Sequence, residues 1–356
     1  MLIGIDFRLA NVSNRGMARY VREIVRSLID LDSQNKYILY INKGEKINIH
    51  LKSNFSVGYI SWKNFILGEQ IGIARKTYCD HLDCLWSPYN TFPLLINHKT
   101  RLLVTIHDLI FFSSLFAGTL YQKIGRLYRR GCLLLGYKKI DKCFSVSTYS
   151  AIEIKKRFNL CPVYITYNCI DAFWKKAQQQ IGSNRKSLIR DNFYFTVSGD
   201  APHKNLPFLV SFFKRNKPNE TLIIAGVSST SLLRKEGGGN IIFLNDNLSD
   251  EKLIEYYLKC KAFLFLSLEE GFGIPVLEAM ACEAPLIVSN RTSLPEVVGG
   301  CGILISPNSE DELMNAMQSI NTFKVSETIR LTQLQKFLHW SDSAKEVLNQ
   351  IINTDR

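Results

Sequence analysis

No part of the 356-residue sequence is an apolar run approaching the length of a membrane-spanning helix, and the opening MLIGIDFRLA lacks a positive region followed by a long apolar stretch. Neither secretion nor membrane spanning is expected on these criteria. Nine cysteines are present, an odd number, and none lies at Cys-x-x-Cys spacing. That pattern argues against a disulfide framework or a structural zinc site and fits free thiols in a reducing cytosol. The six histidines, at 50, 81, 98, 107, 203 and 339, are dispersed without metal-ligand pairing, so no metal site is expected. Acid is scarce in the first half. Residues 1 to 180 hold 26 Lys and Arg against 12 Asp and Glu, a balance of +14, whereas 181 to 356 hold 18 against 20, a balance of −2. The net charge of +12 therefore belongs to the N-terminal half, which points to an anionic partner: a membrane surface, a phosphorylated acceptor or nucleic acid. No helix-turn-helix, RNA-motif or zinc-finger pattern supports the last, and no nucleic acid is expected.

What is present is ordinary globular material, 46% hydrophobic and 21% charged, in a chain long enough for two full cores. The first half alternates strand-like and helix-like segments, the pattern of a doubly wound α/β domain. Strands are expected at Leu2–Phe7, Tyr37–Ile41, Val57–Ser61, Cys84–Ser87, Leu102–Ile106, Cys143–Val146 and Val163–Thr166. Helical patterns fit Met17–Ile29, Glu69–Tyr78, Leu120–Tyr137 and Ser150–Phe158. The polar run Lys175 to Arg190 breaks the pattern and reads as a linker, and alternation then resumes from Phe193. The expected organisation is an N-terminal Rossmann-like domain over 1–174, a linker over 175–190, a second Rossmann-like domain over 191–339 and a terminal helical segment over 340–356.

The most informative stretch runs from Phe263 to Glu296. Phe263 to Leu266 is a short apolar run suited to a strand buried on both faces. It leads through Glu269-Glu270 into Gly271-Phe272-Gly273 and then a helical pattern with Pro275 near its first turn, where a missing N–H is tolerated. Strand, glycine-rich turn and helix N-terminus together favour an anion such as a phosphate at the carboxyl edge of a parallel sheet. Glu270 and Glu278 flank the helix start and are placed to face one cleft, where a carboxylate can accept from a pair of sugar hydroxyls. Read without context, Glu270 is a helix cap and Glu278 a solvated face residue.

Glu270-Gly-Phe-Gly-x-Pro-x-x-Glu278-Ala-Met-Ala, with Ala284-Pro285 and Ser293-Leu-Pro-Glu296 following, resembles the Glu-x7-Glu region of retaining glycosyltransferases of family 4. The resemblance implies an α/β GT-B fold, two Rossmann-like doubly wound domains facing across a cleft, with the terminal helix packing back on the first domain. It places Gly271, Phe272, Gly273 and Glu278 on the nucleotide-sugar side and Glu270 at the catalytic centre.

Further strings fit the same family. Arg15-Gly16-Met-Ala-Arg19-Tyr20 opens a helix after the first strand, a plain turn by pattern alone, and resembles the family's Gly-x-x-Arg-Tyr segment; Gly16 and Arg15 are then donor-side candidates. Leu102 to Ile106 empties into His107-Asp108-Leu109. By pattern His107 is either a core histidine bonded to Asp108 or a cleft residue. The tripeptide resembles the His-Asp-Leu of mannosyltransferase-like members, which implies that His107 contacts the transferred sugar and Asp108 supports it. In Gly199-Asp200-Ala-Pro-His203-Lys204-Asn205, Lys204 precedes a helix and suits a diphosphate as a point charge. Where the family commonly has arginines, this chain has Asp200 and His203; a weakened cationic contact is expected there, compensated by Arg15 or Arg291.

The resemblance implies a retaining hexosyltransferase that uses a nucleotide-diphosphate sugar, GDP-mannose favoured, with no bound metal or other cofactor, and a glycan or lipid-linked acceptor in surface polysaccharide assembly. Residues 121 to 142 combine seven Lys or Arg with leucines and tyrosines. That segment reads either as a basic amphipathic helix on anionic lipid or as a solvated surface helix. The first reading puts the protein in the cytoplasm at the inner face of the membrane. A catalytically weak binding or scaffolding subunit and a sugar-nucleotide epimerase are the other readings that keep this fold.

Overall fold

The computed structural model describes residues 1–12, 16–113, 120–160, 162–184, 190–216, 218–244 and 248–353. The chain divides into two compact units, one comprising Met1–Ser113, Thr119–Asn168 and Trp340–Arg356, the other chiefly Cys169–His339.

The first unit is built on strands β1 (Leu2–Asp6), β2 (Lys36–Asn42), β3 (Phe55–Ile60), β4 (Cys84–Ser87), β5 (Arg101–Thr105), β6 (Lys142–Ser145) and β7 (Val163–Ile165). All pairings are parallel, in the order β3-β2-β1-β4-β5-β6-β7. The strand order reverses between β1 and β4. In an open parallel sheet that reversal opens a crevice at the carboxyl ends, where ligands bind. Central strands such as β4 and β5 are buried at every position, which is why they read as continuous apolar runs and not as alternation.

The helix Gly16–Leu31 presents Tyr20, Val21, Ile24, Val25 and Leu28 as a buried face, the 3.6-residue spacing that packs a helix onto a sheet. Tyr20 is the centre of an aromatic cluster, edge-on to Trp86, His107 and Trp340 at centroid distances of 6.3, 4.9 and 6.1 Å. Its hydroxyl pairs with Thr166 Oγ1 at 2.7 Å. Trp340 begins the terminal helix Trp340–Ile352, whose far end is held by Arg101, donating to the carbonyls of Ile351 and Asn353. A guanidinium there satisfies carbonyls that a helix C-terminus leaves unpaired.

Two expectations are corrected. The helix expected over 69–78 is a composite of Phe65–Leu67, a π-helical turn Gly68–Ile73 and Ala74–Cys79. The wider turn arises where the buried Glu69 and the half-buried Gln70 reach the loop after β4; apolar periodicity alone does not reveal it. The stretch read as a linker is helical from Asp171 through Asn184, because Phe173, Ala177 and Ile181 form a buried stripe beneath its glutamines. A short helix Arg8–Val12 was also not expected.

The second unit carries β8 (Phe193–Val197), β9 (Thr221–Ala225), β10 (Ile241–Phe243), β11 (Ala262–Phe265), β12 (Leu286–Ser289) and β13 (Ile303–Ile305). They pair in parallel in the order β10-β9-β8-β11-β12-β13, the doubly wound order again. Its switch point lies between β8 and β11. The core between this sheet and its helices is made by Leu209, Phe212, Phe213, Leu222, Ile224, Leu264, Ile287 and Leu313.

Candidate donor and sugar sites

The second unit brings its two chemical loops together at that switch point. The chain leaves β8, forms a 3-10 turn Pro202–Lys204 and enters the helix Leu206–Asn216 through Asn205, which has a left-handed φ of 57°. The Asn205 side chain donates to the carbonyls of Leu266 and Pro307 at 3.1 and 2.8 Å, tying three strand ends to one another. Leu268 N donates to His203 O at 2.7 Å. With the loops so clamped, Lys204 Nζ lies 2.7 Å from Glu270 Oε1. Glu270 is buried, 9% exposed, while Lys204 is 25% exposed, so the carboxylate is enclosed and the ammonium reaches toward the surface.

The glycine turn is pinned from below. Glu270 N donates to Thr292 Oγ1 at 3.1 Å, and Ser293 Oγ donates to the carbonyls of Glu270 and Phe272 at 3.2 and 2.9 Å. Gly273 has φ +113°, a conformation that requires glycine, and a Cβ there would also press on Leu294 Cδ2 at 2.7 Å. Helix Ile274–Ala281 starts immediately after, with Pro275 in its first turn. Its N-terminus and Lys204 form the positive rim expected for a phosphate.

Other second-unit residues differ from expectation. Phe272 is buried edge-on against Phe337, centroids 5.5 Å apart, so its ring packs the turn instead of lining the donor side. Glu278 is 7% exposed, and its Oε2 accepts from the Tyr257 hydroxyl at 3.4 Å. The second turn of the helix rotates it toward the helix Asp250–Lys259, away from a solvated face. Burial and the neighbouring Glu278 push the Tyr257 hydroxyl well above its ordinary pKa. The His203 imidazole is lowered by burial and by Lys204, so at neutral pH it adds no cation where an arginine was the familiar residue.

In the first unit, His107 follows β5 and is 4% exposed. Its Nε2 lies 2.9 Å from Pro88 O, and its backbone N donates to Asn90 Oδ1 at 2.6 Å. Because a carbonyl can only accept, Nε2 carries the proton and Nδ1 is the acceptor in neutral imidazole. Burial lowers its pKa to about 4, against the opposing effect of the Pro88 carbonyl. Support for the imidazole thus comes from Pro88, with Tyr20 packed edge-on. The Asp108 carboxylate, expected as that support, accepts from Ile110 N at 3.1 Å, just ahead of the turn Ile110–Phe112. Gly16 is exposed at the start of its helix; Arg15 lies outside the described residues. Thr292, Ser293, Asn205, Pro88 and Asn90 were not singled out from sequence. Only the Ser293-Leu-Pro-Glu296 string and the lone Asn205 after Lys204 carried any signal of them.

Residues 180–324 match the family model described as glycosyl transferases group 1. The O-antigen chain mannosyltransferase B of Escherichia coli is 36% identical over 104 residues, 28% of this chain and 27% of that protein. The O-antigen chain mannosyltransferase RfbU of Salmonella typhimurium is 27% identical over 247 residues, 65% of this chain and 63% of that one. The chain therefore spans less than two thirds of the length of these curated relatives. A solved structure of sucrose-phosphate synthase from Thermosynechococcus elongatus superposes with a TM-score of 0.74 at 16% identity, covering 99% of this chain and 98% of that one. Residues 180–324 thus match the group 1 glycosyltransferase model across the Lys204–Glu270 loops, and the two doubly wound units have the GT-B fold.

Proposed function

We propose that the protein is a retaining hexosyltransferase that moves mannose from GDP-mannose to a glycan or lipid-linked acceptor during surface polysaccharide assembly. The observation that carries this reading is the Lys204 ammonium held 2.7 Å from Glu270 at the switch point of the second sheet, beside a glycine turn and a helix N-terminus. Glu270 keeps the lysine in place. An arriving diphosphate competes for the same ammonium and adds the helix N–H groups, which stabilise the negative charge that grows on the leaving phosphate. Glu270, relieved of its partner, is then free to accept from sugar hydroxyls. His107, neutral at physiological pH, acts as a hydrogen-bonding group for the sugar and not as a positive charge. The mannosyltransferase relatives support the choice of sugar.

The acceptor side is assigned to the basic first unit, acting in the cytoplasm at an anionic membrane. No helix among the described residues is long and apolar enough to cross a membrane. Support for peripheral docking comes from the helix Leu120–Gly136, where Leu127, Leu134 and Leu135 are 65%, 58% and 75% exposed among Lys123, Arg129 and Lys138. Exposed leucines ringed by basic residues suit an anionic lipid surface. Arg126 and Arg130, counted with that basic face from sequence, instead donate to the Phe111 carbonyl, Arg130 at 2.6 Å. The deciding experiment is turnover and thermal shift across GDP-, UDP- and dTDP-sugars. GDP-mannose is expected to be hydrolysed and to raise Tm; stabilisation by another nucleotide sugar alone would displace the mannose assignment.

A further inference from the structure

A buried polar cluster lies behind His107 that phosphate and sugar binding do not require. Its centre is Glu69, 1% exposed, on the π-helical turn Gly68–Ile73. Thr91 Oγ1 donates to Glu69 Oε1 at 2.7 Å, and the Tyr128 hydroxyl, from the helix Leu120–Gly136, donates to Glu69 Oε2. The adjacent Gln70 donates to Tyr128 OH and to Phe92 O at 2.7 and 2.9 Å, and accepts from Leu94 N at 2.9 Å. Both side chains thus grip one loop, 88–94, between β4 and β5. That loop supplies Pro88 O to the imidazole and Asn90 Oδ1 to the backbone N–H of His107. A π-turn inserts an extra residue and is common where a side chain must be re-aimed. Here the turn is closely backed, since a Cβ at Gly68 would collide with the Arg8 guanidinium and the Trp62 carbonyl.

We propose that Glu69 is a positioning residue for His107: through Thr91 it fixes the loop that holds the imidazole, and through Tyr128 it ties that loop to the basic Leu120–Gly136 helix. The catalytic meaning of this arrangement rests on the assignment of His107 to the transferred sugar; its structural meaning does not.

The cluster is also poised to titrate. The groups that face Glu69 are Asp6 at the end of β1, Arg8 just beyond it, and Tyr128 with Cys132 on the Leu120–Gly136 helix; Tyr89 faces Asp6 and Arg8. Burial, then Asp6, pushes the Glu69 carboxyl up to about 7, against the opposing effects of Tyr128, Thr91 and Arg8. As a carboxylate it accepts from both hydroxyls. Protonated on Oε2, it becomes a donor toward Tyr128 OH, which already accepts from Gln70. The tyrosine proton then loses its acceptor and the grip on the loop loosens. His107 itself stays neutral throughout this range.

The test is nitrogen NMR of histidine-labelled, substrate-free protein, with the His107 ring signals assigned by loss in His107→Gln. In the wild type these signals are expected to move with a midpoint near pH 7. Glu69→Gln, whose amide mimics the protonated acid, removes the movement. Thr91→Val displaces the signals at all pH values, and Thr91→Ser, which keeps the hydroxyl, restores them. With GDP-mannose as the probe, kcat is expected to fall about ten- to a hundredfold in Thr91→Val with little change in KM, and to recover in Thr91→Ser. His107 signals that ignore both pH and Thr91→Val in a folded protein overturn the proposal. Should the signals respond as expected while no nucleotide sugar is turned over, the positioning role stands and the transferase reading fails.

Discussion

The Lys204 ammonium and the Glu270 carboxylate meet at 2.7 Å, from loops 66 residues apart in sequence, across the reversal point of the second sheet. From sequence alone each is a separate ligand-binding group. Paired, they make the two roles interdependent, since a phosphate must take the lysine from the glutamate.

That interdependence is measurable by calorimetry with GDP. Lys204→Ala is expected to weaken GDP binding by about ten- to a hundredfold, the loss of one charge-assisted hydrogen bond worth about 1.5–3 kcal/mol. Glu270→Ala frees the lysine and is expected to leave GDP binding unchanged or tighter while lowering sugar transfer. Equal weakening by both substitutions would show that the pair acts as one structural unit.

Glu278 lies too deep to be replaced without structural cost. Glu278→Ala is expected to lose about 1–3 kcal/mol of stability, because it leaves the buried Tyr257 hydroxyl without an acceptor. Tyr257→Phe in the same background recovers part of that loss. Urea unfolding of the wild type and the two variants measures it, and an unchanged midpoint in Glu278→Ala contradicts the buried placement.

His107 makes stability depend on pH with a definite sign. Its pKa is lowered to about 4, so the folded protein holds the neutral ring while the unfolded chain takes up a proton below about 6.5. The contribution is complete above the unfolded pKa and is lost as pH falls toward 4. Between pH 7 and pH 5 the wild type is expected to lose about 2 kcal/mol more than His107→Gln. Chemical denaturation at the two pH values decides it; parallel losses mean the ring is not held neutral.

For the basic helix, Lys123, Arg129 and Lys138 are the charges to reverse, because Arg126 and Arg130 hold the Phe111 carbonyl. Binding to vesicles is expected to rise with the fraction of acidic lipid and to fall with salt, as charges are screened over about 10 Å at 0.1 M. Reversal to Glu should abolish most of it, and Leu134→Ser with Leu135→Ser should weaken what survives salt. GDP binding should persist in both. Indifference to acidic vesicles at low salt would move the acceptor into solution.

Much of the architecture was legible in the residues themselves. The strand Cys84–Ser87 and, to within a residue, the helix Leu120–Gly136 stand where apolar runs and periodicity put them, because a strand buried on both faces must be apolar throughout and an amphipathic helix must repeat every 3.6 residues. Gly273 was likewise legible, since a tight strand-to-helix turn needs a residue free to take positive φ. What spacing could not supply was partnership. Tertiary packing alone decided that Lys204 would pair with Glu270, that Phe272 would turn to Phe337 and Glu278 to Tyr257, and that Pro88 and not Asp108 would hold the imidazole. It also decided the π-turn at Gly68 and the helix over the expected linker, where a buried stripe of Phe173, Ala177 and Ile181 outweighs a polar composition. Local pattern reports which face of an element is apolar; which atoms meet across loops distant in sequence depends on strand order, and a parallel sheet settles that only when its strands assemble.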